Sequence, residues 1–68
     1  MNLTTHILKI INPTSITNRI MLEDFFNTLD THTQKYYLDI LTYNKDFNIF
    51  EDQYFIEFVN NMEYQFDM

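Results

Sequence analysis

The sequence predicts a mainly α-helical fold, and three observations lead to that class. Apolar residues recur at helical spacing in three separate stretches of the chain. Polar residues suited to helix N-caps stand just before these stretches. The chain has no glycine, which argues against loops with tight backbone demands. Since it has 68 residues, we expect one domain over 1–68, built from three helices and an N-terminal segment.

The N-terminal segment, residues 3–11, fits either a helix or a short strand. Its apolar residues share one face of a helix: Leu3, Ile7, Ile10 and Ile11. Isoleucine and threonine are also common in strands, so a strand over 4–11 stays open. A second strand near 46–50, where apolar and polar residues alternate, would then make the fold α+β.

The next segment, residues 14–29, predicts an amphipathic helix. Four apolar residues at i, i+3, i+4 and i+7 form its stripe: Leu22, Phe25, Phe26 and Leu29. Polar residues near its start are the candidate N-caps: Asn12, Thr14 and Ser15. Ile16 and Ile20 fall on a different side, which indicates a second neighbour such as another subunit.

A further helix is predicted over residues 32–44. Thr31 and Gln34 match a T-x-x-Q capping box, in which each side chain bonds to the backbone N–H of the other residue. Its inner face is apolar: Tyr37, Ile40 and Leu41. Tyr36 and Tyr43 lie nearer the edges, where a phenol can bury its ring and keep its hydroxyl in water.

The last helix, over residues 50–66, has the strongest amphipathic pattern. Asn48 and Glu51 could form a capping box at its start. Its apolar stripe completes a predicted core that draws on all four segments: Leu3, Ile7, Ile10, Leu22, Phe25, Phe26, Leu29, Tyr37, Ile40, Leu41, Phe55, Phe58, Val59, Met62 and Phe66.

Composition narrows the function classes. The chain is 46% hydrophobic and has no cysteine, which excludes disulfides and thiolate metal sites. A chain this short buries only about 60% of the surface that its unfolded form exposes. We therefore expect a homodimer, in which a second copy covers large apolar residues that one chain leaves exposed. No apolar run approaches the roughly 18 residues of a membrane span, and no basic n-region of a signal peptide is present. We therefore expect a cytoplasmic protein.

No enzyme, cofactor or metal function is predicted. The chain lacks a cysteine nucleophile, a glycine-rich phosphate loop and a G-x-S-x-G elbow. Twenty-five residues lie between the two histidines, His6 and His32, and each histidine has a threonine beside it. Asp30 and His32 could together offer two metal ligands, but the simpler interpretation of His32 is an exposed residue in the first turn of a helix.

The net charge is confined to the last third of the chain. It totals −6, yet the first 45 residues hold four acidic and four basic residues. Residues 46–68 contain no Lys or Arg and carry six carboxylates: Asp46, Glu51, Asp52, Glu57, Glu63 and Asp67. A face that only keeps an aromatic-rich protein in solution would be expected to mix acids with bases. Here the acids stand alone, so the repulsion between their charges is uncompensated. This repulsion costs stability and calls for a functional reason.

We interpret these six carboxylates as a surface that binds a basic protein partner. A dense row of negative charge can imitate duplex DNA, which presents one charge per about 1.7 Å of its axis. Two copies related by a dimer axis would double the row. The same charge repels nucleic acid and anionic membranes, so direct binding to either is not expected.

In overall character the chain resembles the small acidic inhibitors that bacteriophages make against enzymes of their hosts. The resemblance rests on size, charge, composition and the absence of cysteine across the whole chain, with no motif that assigns roles to residues. It implies a DNA mimic that acts in the host cytoplasm on a DNA-binding or DNA-processing protein. The alternative is a small dimeric adaptor or antitoxin-like regulatory module that recognises a protein partner by apolar contacts.

Overall fold

The computed structural model describes residues 2–64. They form four α-helices and one short 3-10 helix: α1 Thr4–Ile11, α2 Ile16–Thr28, α3 Thr31–Tyr43, the 3-10 helix Ile49–Glu51 and α4 Gln53–Met62. The predicted mainly α fold class is confirmed. The N-terminal segment is a helix, and no strand occurs among residues 2–64, so the α+β alternative with strands near 4–11 and 46–50 is wrong.

Two capping residues, Asn12 and Ser15, lie between α1 and α2. Asn12 ends α1 in the left-handed conformation, at φ 50°, and its backbone N–H donates to the Leu8 carbonyl at 2.8 Å. Asparagine tolerates this conformation better than most residues. Ser15 is the N-cap of α2, and its hydroxyl accepts from the Asn18 N–H at 3.3 Å. Of the three candidate caps, Ser15 is therefore the one used.

Helix α3 begins one residue earlier than the capping box requires. Asp30 is its N-cap, and the carboxylate accepts from the Thr33 N–H at 2.8 Å. This hydrogen bond holds the pKa of Asp30 below its ordinary value of 3.8. The predicted box between Thr31 and Gln34 is wrong, because the earlier start moves Gln34 to the fourth helical position, where its side chain enters the core.

The predicted helix over 50–66 is divided near its start. Asn48 caps only the 3-10 helix, through its side-chain oxygen and the Phe50 N–H at 2.9 Å, so its predicted box with Glu51 is wrong. Asp52 then serves as the N-cap of α4 and accepts from the Phe55 N–H at 3.1 Å. Phe66, a predicted core residue, lies outside the described residues.

The core is built around the ring of Phe25. Four aromatic rings meet it edge to face, with centroids 5.1 to 5.7 Å away: Phe26, Tyr37, Phe55 and Phe58. Such pairs contribute about 0.5–1.5 kcal/mol each beyond the area they bury. The buried apolar residues come from every helix: Leu3, Ile7, Leu8, Leu22, Phe25, Phe26, Tyr37, Ile49 and Phe55. Predicted core residues at its margin are half-buried: Leu29, Ile40, Leu41, Phe58 and Val59.

Two predicted core residues are instead exposed. Ile10 is 43% exposed because α1 turns Leu8, rather than Ile10, toward the other helices. Met62 is 52% exposed because it is the last residue of α4, beyond the residues of that helix that pack on Phe25. Ile49, which lies between two predicted helices and was not among the predicted core residues, is buried.

A buried polar side chain, Gln34, ties α1 to α2 and α3. Its Oε1 accepts from the Leu3 N–H at 2.9 Å, and its Nε2 donates to the Phe26 carbonyl at 2.6 Å. The same nitrogen lies 3.3 Å from Asn2 Oδ1 and 3.4 Å from Thr4 Oγ1. Because Leu3 precedes the first turn of α1, this amide satisfies one of the donors that a helix start leaves unpaired.

Candidate functional site

The acidic residues predicted as a partner site lie along the C-terminal part of the described chain. Asp46 is in the loop after α3, Glu51 ends the 3-10 helix, Glu57 lies in α4 and Glu63 directly follows α4. All four side chains are exposed. We call them, together with Asp52, the acidic segment. Asp67, the sixth predicted site residue, lies outside the described residues.

Asp52 differs from the other acids because it also has a structural role. Its Oδ2 accepts from the Phe55 N–H and, at 2.8 Å, from the hydroxyl of Tyr37. Burial and then this hydrogen bond raise the pKa of Tyr37 well above its ordinary value of 10. The carboxylate therefore fixes the start of α4 against α3. It is half-buried, and it can contribute charge at the surface without moving freely.

Glu57 faces solvent on the opposite side of α4 from the core. It follows the buried Phe55 by two residues, which is about 200° of rotation around a helix. Gln53 donates to Glu57 Oε1 at 3.1 Å from one turn earlier, so the carboxylate is restrained at the surface. A partner would therefore meet a charge that is already partly positioned.

Glu63 occupies a position that is costly for its residue type. It is the C-cap of α4 and is left-handed, with φ 50° and ψ 48°. This conformation costs a residue with a Cβ about 1–2 kcal/mol and normally selects glycine. A negative charge is also unfavourable next to the carbonyl end of a helix. Helix stability therefore does not explain the glutamate at this position.

The segment around Glu63 is held in place by its neighbour. The Tyr64 hydroxyl donates to Asp24 Oδ2 in α2 at 2.8 Å. Burial and this hydrogen bond raise the pKa of Tyr64 from 10 to about 12. Because the folded pKa is the higher one, this stabilisation is fully present below pH 10 and is lost as the pH rises through about 12. At neutral pH the end of α4 is thus attached to α2.

Replacing Glu63 with glycine is expected to raise the free energy of unfolding by about 1 kcal/mol, because it relieves the left-handed conformation and the charge at the helix end. Chemical denaturation measures the change. The same replacement at Glu57, inside α4, is the matched control and should lower the free energy of unfolding by about 1 kcal/mol. A Glu63→Gly protein that is less stable than the wild type would show that this glutamate supports the fold after all.

The cations of the chain lie mostly apart from the acidic segment. Lys9 and Arg19 line a polar groove between α1 and α2, and Lys35 pairs with Asp39 within α3 at 2.7 Å. Lys45 is the exception, since it directly precedes Asp46 in the loop. Between residues 46 and 64 no basic side chain offsets the acids. The 3-10 helix and α4 therefore carry negative charge with no basic side chain of their own.

An apolar groove, which the sequence did not reveal, opens where α2, α3 and α4 meet. It has a volume of about 200 Å³, and six residues line it: Phe25, Leu29, Thr33, Tyr36, Tyr37 and Tyr54. The predicted edge position of Tyr36 agrees with its place at the groove. Tyr54 gave no signal of its own, because it falls between the predicted apolar stripe and the polar face of its helix.

No candidate metal site is found in the described part of the chain. Residues 2–64 contain no cluster of three His, Asp or Glu side chains that could hold a metal ion. His6 and His32 are both exposed. None of the helices described is long and apolar enough to cross a membrane.

Comparison of the chain with known protein families, with curated proteins and with solved structures finds no significant match. Functional inference therefore rests on the geometry and charge of this chain.

Proposed function

We propose that the protein is a non-enzymatic inhibitor that binds a basic, nucleic-acid-binding surface of a host protein through its acidic segment. One observation supports this above the others. Four of the five acids of residues 46–63 are exposed, no Lys or Arg lies among them after Lys45, and Glu63 occupies its position at a cost to the helix that bears it. Selection for stability alone would favour glycine there. The charge is therefore better explained by a partner.

Binding would proceed in two steps. The negative field would first attract a positive surface over distances comparable with the Debye length, about 10 Å at 0.1 M salt. Exposed carboxylates such as Glu57 and Glu63 would then accept charge-assisted hydrogen bonds from Arg and Lys. The target would be a DNA-binding or DNA-processing protein, and the setting the cytoplasm of a bacterium infected by a phage.

The density of negative charge along α4 favours an inhibitor that acts as a dimer. Helix α4 has 10 residues and is roughly 15 Å long, a length over which B-DNA carries roughly nine charges. The chain places four carboxylates along and beside this helix: Glu51, Asp52, Glu57 and Glu63. A second copy beside the first would bring the density close to that of DNA. We therefore include a homodimer in the proposal.

A second candidate function is a dimeric adaptor or antitoxin-like module that recognises its partner by apolar contact. Ile16 and Ile20 favour it, because they lie one turn apart on α2 and are both exposed, Ile16 by 78%. They could serve either a dimer interface or an apolar partner surface. The two functions differ in how binding responds to salt.

Capture of a partner from a bacterial lysate, followed by salt and DNA challenge, tests the proposed function. A partner held electrostatically should be released between 0.1 and 1 M salt, because the Debye length falls from about 10 Å to about 3 Å. Duplex DNA should displace the protein from that partner at low salt, since both would occupy one surface. A partner that resists high salt and is not displaced by DNA would overturn DNA mimicry and favour the apolar adaptor.

A further inference from the structure

The groove between α2, α3 and α4 has the size of a pocket for one side chain. At about 200 Å³ it is smaller than the sites of about 300–1,000 Å³ that hold drug-sized molecules. Its floor is Tyr37, which is buried, and its rim is formed by Tyr36 and Tyr54, both largely exposed. Its walls are almost entirely apolar, so the occupant must present apolar surface.

The rings in this groove meet at steep angles. Tyr37 packs edge to face against both Phe25 and Tyr36, with centroids 5.7 Å apart and planes inclined by 78° and 76°. Tyr54 closes the side formed by α4. Four aromatic rings therefore border one space, and a cation that enters it can lie over a ring face, which carries the negative part of the aromatic quadrupole.

Three carboxylates are linked to lining residues of this groove, two by hydrogen bonds and one by its position in α4. Asp52 is 2.8 Å from the hydroxyl of Tyr37, through Oδ2, and both of its hydrogen bonds among the described residues use that oxygen. Glu57 lies one helical turn after Tyr54, and Asp30 accepts from the backbone of Thr33 at the groove edge. No cation is among the lining residues. Lys35, which precedes Tyr36, is already paired with Asp39.

From the ring geometry and this charge we propose that the groove binds one arginine side chain of the protein partner. The aliphatic stem would lie against Leu29 and Phe25, while the guanidinium stacks on the tyrosine rings at the rim. The guanidinium could also donate to the remaining oxygen of Asp52. This inference rests on the proposed function, because it names the chemistry by which the same basic partner would be anchored.

Arginine suits the site better than an apolar anchor or a second copy of this chain. An aliphatic anchor would leave the three carboxylates unused. A second copy seated in this groove would cover Tyr54 and the acidic segment beside it, which must stay free for the partner in the dimer proposed above. Arginine satisfies the apolar walls and the carboxylates together.

A titration with capped tripeptides tests the proposal on the whole protein. The central residue is arginine, citrulline, which is neutral and of nearly equal shape, or norleucine. We expect saturable NMR shifts of the rings of Tyr36, Tyr37 and Tyr54 with the arginine peptide, and binding at least about tenfold weaker with the other two. Tyr54→Leu should weaken binding of the arginine peptide about 2- to 30-fold. Tyr43→Leu, the same change at a residue 84% exposed and outside the groove, should leave it unchanged.

Each other outcome would overturn the arginine assignment. Equal binding of the norleucine peptide would show an apolar anchor site. Groove shifts that change on dilution without peptide would show a second copy in the groove, and the absence of shifts would show no site.

The readouts also separate this inference from the proposed function. If Tyr54→Leu keeps full partner binding and salt still releases the partner, the arginine pocket is wrong while the acidic segment stands. If the arginine peptide binds but the partner resists salt and DNA, the proposed function fails alone.

Discussion

Gln34→Leu is expected to lower the free energy of unfolding by about 1.5–4.5 kcal/mol, the largest stability change we predict for a single residue. Leucine keeps the apolar volume but leaves the buried Leu3 N–H without a partner, and the Phe26 carbonyl keeps only its bond from the Leu29 N–H. An unsatisfied buried donor costs about 1–3 kcal/mol, and a lost hydrogen bond costs about 0.5–1.5 kcal/mol. A chain of 68 residues has a total stability of roughly 3–10 kcal/mol, so much of the margin would be lost. Thermal and chemical denaturation measure the change.

The matched control is the same replacement at Gln53, which is exposed at the start of α4 and bonds only to Glu57 among the described residues. It should change the free energy of unfolding by no more than about 0.5 kcal/mol. Similar losses for the two leucine variants would show that the amide of Gln34 has no special role.

Gln34→Glu separates hydrogen bonding from shape, because the two side chains are isosteric. The buried carboxyl should have a raised pKa, and only its protonated form can donate to the Phe26 carbonyl. Stability contributed by that form is fully present below the unfolded pKa of about 4.3 and is lost as the pH rises through the folded pKa. Relative to the wild type, the variant should therefore be most stable in acid and least stable near pH 7. A constant difference across this range would contradict the assigned role.

Helices α2, α3 and α4 could be predicted from the sequence because each has its own periodic apolar stripe. The stripe of α2, which includes Leu22, Phe25 and Phe26, is the buried face. In α1 the same reasoning fails, since nearly every residue from Ile7 to Ile11 is apolar and periodicity does not choose among them. Packing against α2 and α3 decides, and it buries Leu8 rather than Ile10.

The role of Gln34 could not be predicted because its partners are remote in the chain. Leu3 lies 31 residues earlier, and only the folded arrangement of α1 and α3 brings the two together. Locally, Thr31 and Gln34 match a capping box, and a shift of one residue in the helix start makes that match irrelevant. The position of the Gln34 side chain is therefore set by its hydrogen bonds to α1 and α2 and not by the local capping pattern.

The acidic segment could be recognised from composition, whereas its internal differences required the structure. Sequence treats Asp52 and Glu57 alike, but Asp52 is bonded to Tyr37 and Phe55 while Glu57 faces solvent. The left-handed conformation of Glu63 likewise has no sequence signature. The groove beside them escaped prediction because its lining comes from three helices whose packing the stripes do not specify.

The double variant Glu57→Lys, Glu63→Lys is expected to weaken partner binding at least about 100-fold at low salt. Each reversal removes a charge-assisted hydrogen bond worth about 1.5–3 kcal/mol and adds repulsion toward a basic surface. Both side chains are exposed, so the fold should survive, as helical circular dichroism would verify. Affinity for the captured partner, measured at several salt concentrations, gives the size of the effect.

The control must change the net charge equally without touching the acidic segment. Glu23→Lys with Asp39→Lys does so, because both residues are exposed on α2 and α3, and among residues 2–64 the only ion pair disturbed is the surface pair with Lys35. This variant should bind the partner within about tenfold of the wild type, since distant charges are screened beyond about 10 Å at 0.1 M salt. If both double variants lose affinity alike, overall charge rather than a defined surface drives binding. If the first binds like the wild type, the acidic segment is not the partner site, and the exposed isoleucines of α2 become the surface to test.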